Sequence, residues 1–415
     1  MDQKLAIDGG TPVRSKPLPP YYPGSTMYDD KEINGVTEVI KSQSPYRYYG
    51  PHLLGKVKAF EKEMAAYLGM KNCLAVSSGT AAVIVALKAA GIGAGDKVIV
   101  PACTFIATAG AVVCAGAVPV FADIDESLSI NPDKIEQVID KDVKAIITVP
   151  ILGNPCEMDK IMAVAKKHNL IVIEDCAQSC GSKYKGQYSG TFGDIGSFSL
   201  QINKLITTGE GGFVVSDDPK MYERAVRYHD QGMFREKEGF LSTNEAADIF
   251  VGQNYRMSEI SGAVALEQVR KLDEIIRRMR KIKYMIKDQL QGIKGLGFRR
   301  INDVDGDCGN CLIFLLEDGE KAKKFNAALR AEGLDTAQLY NGEPIYMQPQ
   351  ILHQKTADRS GFPFNQFNIT YTKDMCPDAV SIMARNVELM IGPTWTEQDA
   401  ADVVTAVKKV ASQIL

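Results

Sequence analysis

The chain has 415 residues, at roughly 150 per domain a length for two to three domains with a large buried core, so a small stapled scaffold is excluded. Apolar residues make up 45% and charged residues 24%, with 36 Gly and 18 Pro, which excludes disorder, collagen and a long coiled coil. Forty-eight Lys and Arg against 51 Asp and Glu leave a formal net charge of -3, without the basic footprint of a nucleic-acid binder.

Residues 1–28 hold five prolines, the pair Gly9-Gly10 and three tyrosines with no sustained period, and read as an ordered arm. A helical pattern follows over 31–64, through Ile33, Val36, Val39 and Ile40, then Val57, Phe60 and Met64, interrupted by a polar loop at 42–55. Short apolar runs predict buried strands at 73–76, 97–100, 118–122, 145–149 and 171–174, alternating with helices at 80–90, 104–115, 132–139 and 158–168. That alternation predicts an α/β fold, a mostly parallel sheet covered by helices on both faces. The most apolar stretch, 104–124, is broken by Gly110, Gly116 and Pro119 and reads as a buried helix and strand, not as a membrane span. Gly91-Ile-Gly-Ala-Gly-Asp96 has the wrong glycine spacing for a dinucleotide fingerprint and precedes a strand, so it reads as a helix C-cap turn.

From 257 to 290 apolar residues form one long helical stripe, read as a helix linking two domains. Beyond Gly292 the pattern predicts a strand at 311–316, a helix at 321–332, a strand at 335–340, an irregular Pro-rich stretch to Pro377, and helices at 379–390 and 397–414. The expected division is an arm (1–28), a large domain (29–256), the linking helix (257–290) and a smaller α+β domain (291–415). Nine Cys, an odd number spread over a chain with no opening signal peptide, point to a reducing cytoplasm. Cys308 and Cys311 form a lone C-x-x-C with no second pair or nearby His, and the four His, at 52, 168, 229 and 353, suggest no metal cluster.

Ligands of a parallel sheet bind beyond the carboxyl ends of its strands, which focuses attention on three segments. In Val76-Ser77-Ser78-Gly79-Thr80-Ala81-Ala82 a strand enters a helix through small residues, leaving backbone N–H groups and the positive helix end for a phosphate, or a Ser N-cap. Ile171-Val-Ile-Glu-Asp-Cys-Ala-Gln178 delivers an acid at a strand end, which can keep a heteroaromatic nitrogen protonated or simply cap a loop. In the string from Gly196 to Gly212, Lys204 sits between apolar residues before a glycine-dense turn; a desolvated Lys has a lowered pKa and can form a Schiff base.

Taken in order, these segments resemble the DegT/DnrJ/EryC1/StrS sugar aminotransferase family, pyridoxal-phosphate enzymes of aspartate-aminotransferase fold. The resemblance runs from Ala6-Ile-Asp-Gly-Gly-Thr-Pro-Val-Arg14 through Pro101-Ala-Cys-Thr-Phe-Ile-Ala-Thr108 and Gly252-Gln-Asn-Tyr-Arg-Met-Ser-Glu259 to Ile391-Gly-Pro-Thr-Trp-Thr396, and K-x-x-T-T-G-E-G-G at Lys204 is its most specific part. It implies fold type I, with a seven-stranded-type, mostly parallel sheet in the large domain, and pyridoxal 5'-phosphate as cofactor. Lys204 would hold the cofactor as a Schiff base and shuttle the proton. Asp175 would pair with the ring nitrogen, Gln178 would lie near the ring hydroxyl and Phe105 would stack on the ring. Gly79, Thr80 and Ser199 would hold the phosphate, joined by Asn254 from a second subunit, which implies a homodimer with shared active sites. The chain departs from the family pattern at Asn203-Lys204-Leu205-Ile206, where many members read T-K-N-L, and at Phe105, where several have Trp.

The resemblance implies transfer of an amine from glutamate or glutamine to a keto or aldehydo sugar, sugar acid or cyclitol. The branches nearest in motif are the 8-amino-3,8-dideoxy-manno-octulosonate transaminases and the glutamine-dependent inosose aminotransferases. Lys204 argues against the family's dehydrating branch, which carries His there; Lys204, Asp175 and Ser199 together argue against a non-catalytic regulator. A nicotinamide dehydrogenase would need G-x-G-x-x-G after the first strand, and none is there. The stretch 231–244, with Arg235, Lys237 and Glu238, reads either as a lid over the acceptor or as a solvated connector.

Overall fold

The computed structural model describes residues 4–235 and 249–415. Helix α1 (Asp30–Lys41) starts at a capping box formed by Asp29 and Glu32. Helix α2 (Lys56–Leu68) begins at Gly55, which has no side chain to cap it. The cap comes from far away in sequence: the Glu259 carboxylate accepts the N–H groups of Lys56 and Val57 at 2.6 and 3.0 Å.

The alternating section then builds β1 (Asn72–Val76), α3 (Gly79–Ala89), β2 (Lys97–Pro101), α4 (Ile106–Cys114), β3 (Val118–Ala122), α5 (Pro132–Ile135), β4 (Val143–Thr148), α6 (Met158–His168) and β5 (Ile171–Asp175). A hairpin of β6 (Lys183–Tyr184) and β7 (Gln187–Tyr188) precedes β8 (Ile195–Ser199), β9 (Gly212–Ser216) and α7 (Pro219–His229). Seven of these strands form one sheet in the order β1-β9-β8-β5-β4-β2-β3, parallel except for β9. Side chains of β1 alternate between layers: Cys73 and Ala75 pack with Phe60 and Met64 of α2, Leu74 and Val76 with Val83 and Leu87 of α3. The expected two-faced parallel sheet is thus present. The glycine turn at 91–96 closes α3: Gly91 has φ +80°, and its N–H and that of Ile92 bond the carbonyls of Lys88 and Leu87 at 3.1 and 2.9 Å.

The expected linking helix is two helices, α8 (Glu259–Val269) and α9 (Leu272–Leu290). The ladder breaks at Arg270 and Lys271, where the Lys271 ammonium turns to the carbonyl of Met27, at 2.8 Å, and to the Glu32 carboxylate. A four-stranded antiparallel sheet follows, β10 (Gly297–Phe298), β11 (Cys311–Leu315), β12 (Thr336–Ala337) and β13 (Asn386–Met390), ordered β10-β11-β13-β12, with helices α10 (Gly319–Ala331), α11 (Pro349–Leu352), α12 (Pro377–Ala384) and α13 (Glu397–Ile414). The helix expected over 379–390 is corrected: α12 stops at Ala384, and 386–390 is a central strand. Asn386 makes the switch, its amide donating to Met383 O at 2.6 Å and accepting from Leu339 N–H at 2.8 Å. The strand expected at 335–340 is cut to two residues by a turn in which Tyr340 and Asn341 have φ of +51° and +59°.

The arm crosses between the sheets. Arg14 pairs with Asp399 at 3.0 Å, Pro19 O accepts from the Trp395 indole at 3.1 Å, Gly24 N–H reaches Lys204 O at 3.4 Å, and the Tyr28 hydroxyl reaches Thr207 O at 3.0 Å. Among the described residues no helix is long and apolar enough to cross a membrane. All nine cysteines are unbonded thiols.

Candidate active site

A cavity of roughly 700 Å³ opens beyond the carboxyl ends of β1, β5 and β8, between the large sheet, the arm and the four-stranded sheet. Its floor begins at the β1–α3 junction. Ser78 caps α3 by accepting Ala81 N–H at 3.0 Å, so the N–H groups of Gly79 and Thr80 have no partner within the helix. A Cβ at residue 79 would sit 2.5 Å from the Ser199 side chain, and one at residue 212 would lie 2.6 Å from the carbonyls of Phe198 and Ser78. Glycine at both positions lets three chain segments converge, leaving free N–H groups and the Thr80 and Ser199 hydroxyls around a space suited to a phosphate.

Asp175 ends β5. Its Oδ2 accepts from the Thr108 hydroxyl at 2.7 Å and its Oδ1 from Ala177 N–H at 3.2 Å, and Thr108 is itself bonded to Thr104 at 2.7 Å. Burial pushes the carboxyl above its ordinary pKa, while Thr108, Ala177 and the Lys204 charge pull it back. Lys204 follows β8 in a tight turn, its own N–H bonded to Gln201 O at 2.9 Å. Its amine has no hydrogen-bond partner among the described residues, and burial lowers its pKa against the opposing pull of Asp175. Gln178 donates to the Tyr340 hydroxyl at 2.9 Å; the Phe105 ring, 54% exposed, faces the cavity with its centroid 6.5 Å from that of Tyr340.

Seven of the eight sequence-predicted residues, Gly79, Thr80, Phe105, Asp175, Gln178, Ser199 and Lys204, therefore line one cavity. Asn254 does not. It is exposed, bridges Asp230, and its side-chain oxygen faces Arg256 N–H at 3.4 Å. Of the predicted lid, residues 231–235 are described: Arg235 and Arg256 both pair with buried Asp230, while Lys237 and Glu238 lie outside the described residues. Among the described residues no three metal-ligating side chains gather, and Cys308 and Cys311 are buried.

Sequence reasoning missed Thr108, Tyr340 and Glu388. Thr108 lies inside a motif already singled out, one helical turn after Thr104, but nothing in that spacing shows which acid it serves. Tyr340 sits in a left-handed turn that no periodicity reveals. Glu388 lines the cavity from β13, and burial pushes its carboxyl up to about 7.

A desolvated amine, a buried acid and a phosphate-sized cradle, all facing one cavity, are the equipment for amine chemistry on a phosphorylated aromatic group. The comparisons agree. The chain resembles GDP-perosamine synthase of Escherichia coli O157:H7, 38% identical over 67% of this chain and 72% of the relative. It is 34% identical to spore coat polysaccharide biosynthesis protein SpsC of Bacillus subtilis, over 92% of this chain and 94% of the relative. With L-glutamine:2-deoxy-scyllo-inosose aminotransferase of Streptomyces kanamyceticus it shares 33% identity over 86% and 88% of the two chains. Among solved structures, Streptomyces venezuelae DesV, in complex with a ketimine intermediate, superposes with a TM-score of 0.81 at 27% identity, over 95% of this chain and 99% of its own. With the family model matching residues 27–408, the chain belongs to the DegT/DnrJ/EryC1/StrS aminotransferase family.

Proposed function

We propose that this aminotransferase uses pyridoxal 5'-phosphate held by Lys204 to move an amine from glutamate or glutamine to the carbonyl of a keto or aldehydo sugar, sugar acid or cyclitol. The carrying observation is the unpartnered, desolvated Lys204 amine in one cavity with Asp175 and the phosphate cradle. The residues fit that cofactor: Gly79, Thr80 and Ser199 would hold the phosphate, Asp175 the ring nitrogen, Gln178 the ring hydroxyl side, and Phe105 the ring face. When bound, the cofactor supplies an electron sink for negative charge at the substrate's α carbon. Asp175, braced by Thr108, would keep a proton on the ring nitrogen. Lys204 Nζ would take the substrate's α proton and return it across the nitrogen to the cofactor's carbon, a 1,3-transfer that favours transamination over loss of a hydroxyl. The acceptor and donor classes are supported by relatives named for a perosamine and for a glutamine:inosose transfer. The exposed Asn254, which does not line its own chain's cavity, supports a homodimer in which each copy completes the other's phosphate site. Nine unpaired thiols support a reducing cytoplasm.

The test separates the half-reactions. Glutamate or glutamine should shift the visible absorption of the bound cofactor, and a panel of keto sugars, octulosonates and inososes should restore it. Lys204→Ala should abolish borohydride-trappable cofactor with unchanged far-UV circular dichroism; a reducible covalent adduct in that variant would show that another amine does the work. If neither donor moves the spectrum while a hydroxylated sugar loses water, the protein is a dehydratase. If nothing moves it, the protein is a regulator.

A further inference from the structure

The cavity wall made by the four-stranded sheet carries a carboxyl that the reaction above does not use. Along β13, Val387 and Leu389 enter the apolar layer beneath α10 and α13, while Glu388 and Met390 face the cavity. The cross-strand neighbours of Glu388 are Ile313 and Ala337, neither of which has a side chain able to bond a carboxyl. Among the described residues Glu388 makes no hydrogen bond and no ion pair. The charged and titratable groups around it are Arg299, Asp335, Tyr340, Tyr21, Cys103 and Cys311. Arg299 is already held by the carbonyls of Ile151 and Leu152 at 2.8 and 3.1 Å.

Asn310, also on this wall, is 2% exposed and already committed: its amide nitrogen donates to the Tyr21 hydroxyl at 3.1 Å, and its Oδ1 is buried against Gly153. Lys204 is the one cation on the cavity lining among the described residues, against the acids Asp175, Glu210, Asp335 and Glu388. A half-buried carboxyl facing the cavity with no donor from the protein is open to an occupant that brings hydrogens.

We propose that Glu388 determines acceptor specificity: it receives hydroxyl hydrogens from a neutral polyhydroxylated sugar or cyclitol, and it turns away an acceptor that would set a carboxylate on this wall. The inference rests on the transaminase reading and narrows it, by removing sugar acids bound in that orientation. Because burial holds the carboxyl near neutrality, its protonated form can still face an anionic donor, and selection against anions sharpens as pH rises through about 7.

Calorimetric titration of the full-length, cofactor-loaded protein with scyllo-inositol and with gluconate tests this without turnover. At about pH 8 the wild type should bind scyllo-inositol at least about tenfold more tightly than gluconate, and the ratio should shrink at about pH 6. Glu388→Gln, which keeps the shape and removes the charge, should bring the two affinities within about threefold at both pH values. At about pH 6, where the wild-type carboxyl is mostly protonated, the same variant should leave the rate of the glutamate half-reaction within about twofold. A wild-type ratio below threefold, or binding of neither probe, overturns the proposal. So does a Glu388→Gln variant that keeps the full ratio, which would make Glu388 a counter-charge for Arg299 only. Failure of the transaminase reading shows separately, as a cofactor spectrum that no amino donor changes while the binding ratio persists.

Discussion

Burial shifts Lys204, Asp175 and Glu388 alike toward their neutral forms: the amine's pKa is lowered and the two carboxyls' are raised. For Glu388 this has a thermodynamic consequence that needs no substrate. Its carboxyl rises from an ordinary 4.5 to about 7, so its contribution to stability is complete below about pH 4.5 and is lost as pH rises through 7. Glu388→Gln should therefore gain on the wild type between pH 5 and pH 8, by roughly 2 kcal/mol after allowing for partial solvent access. Urea denaturation of the cofactor-free proteins at the two pH values measures it; an equal gain at both would remove ionisation as the cause. The placement of Lys204 and Asp175 in the cavity was legible because each stands at the end of a recognisable strand or motif. Glu388 was not, because its neighbours Val387, Leu389 and Met390 gave it the look of a polar interruption in a helix.

At the scale of elements, the joint between α8 and α2 carries more than its length suggests. Glu259 is fully buried at the start of α8, accepts two N–H groups of α2, and donates its own N–H to Pro45 O at 2.9 Å. Glu259→Ala leaves those donors unpaired and should cost on the order of 2 kcal/mol, and Glu259→Gln, which can still accept one of them, about half that. The comparison is a shift in urea midpoint at constant slope; equal losses in the two variants would mean that packing, not capping, is at work. Strands β1 to β5 were readable from sequence because both their faces are buried, which writes an uninterrupted apolar run. The stripe over 257–290 hid a break, because two helices in series keep nearly the same apolar period across the two residues that separate them. Helix α7 went unread although Asp218 and Pro219 are strong start signals, since its polar face dominates its composition.

For the molecule as a whole, the position of Asn254 is the test of assembly. If each copy completes the other's phosphate site, sedimentation should show a dimer at micromolar concentration, and Lys204→Ala mixed with Asn254→Ala should regain part of the activity that each lacks alone. An active monomer would end that reading. The long arm ties two distant parts of the molecule to one turn. Gly24 supports the turn of Lys204 from about 180 residues earlier in the chain, and the same arm is held by Trp395 and Asp399 beside the four-stranded sheet. A substitution that frees the arm at Arg14 or Trp395 therefore loosens the lysine turn as well, although neither residue lines the cavity.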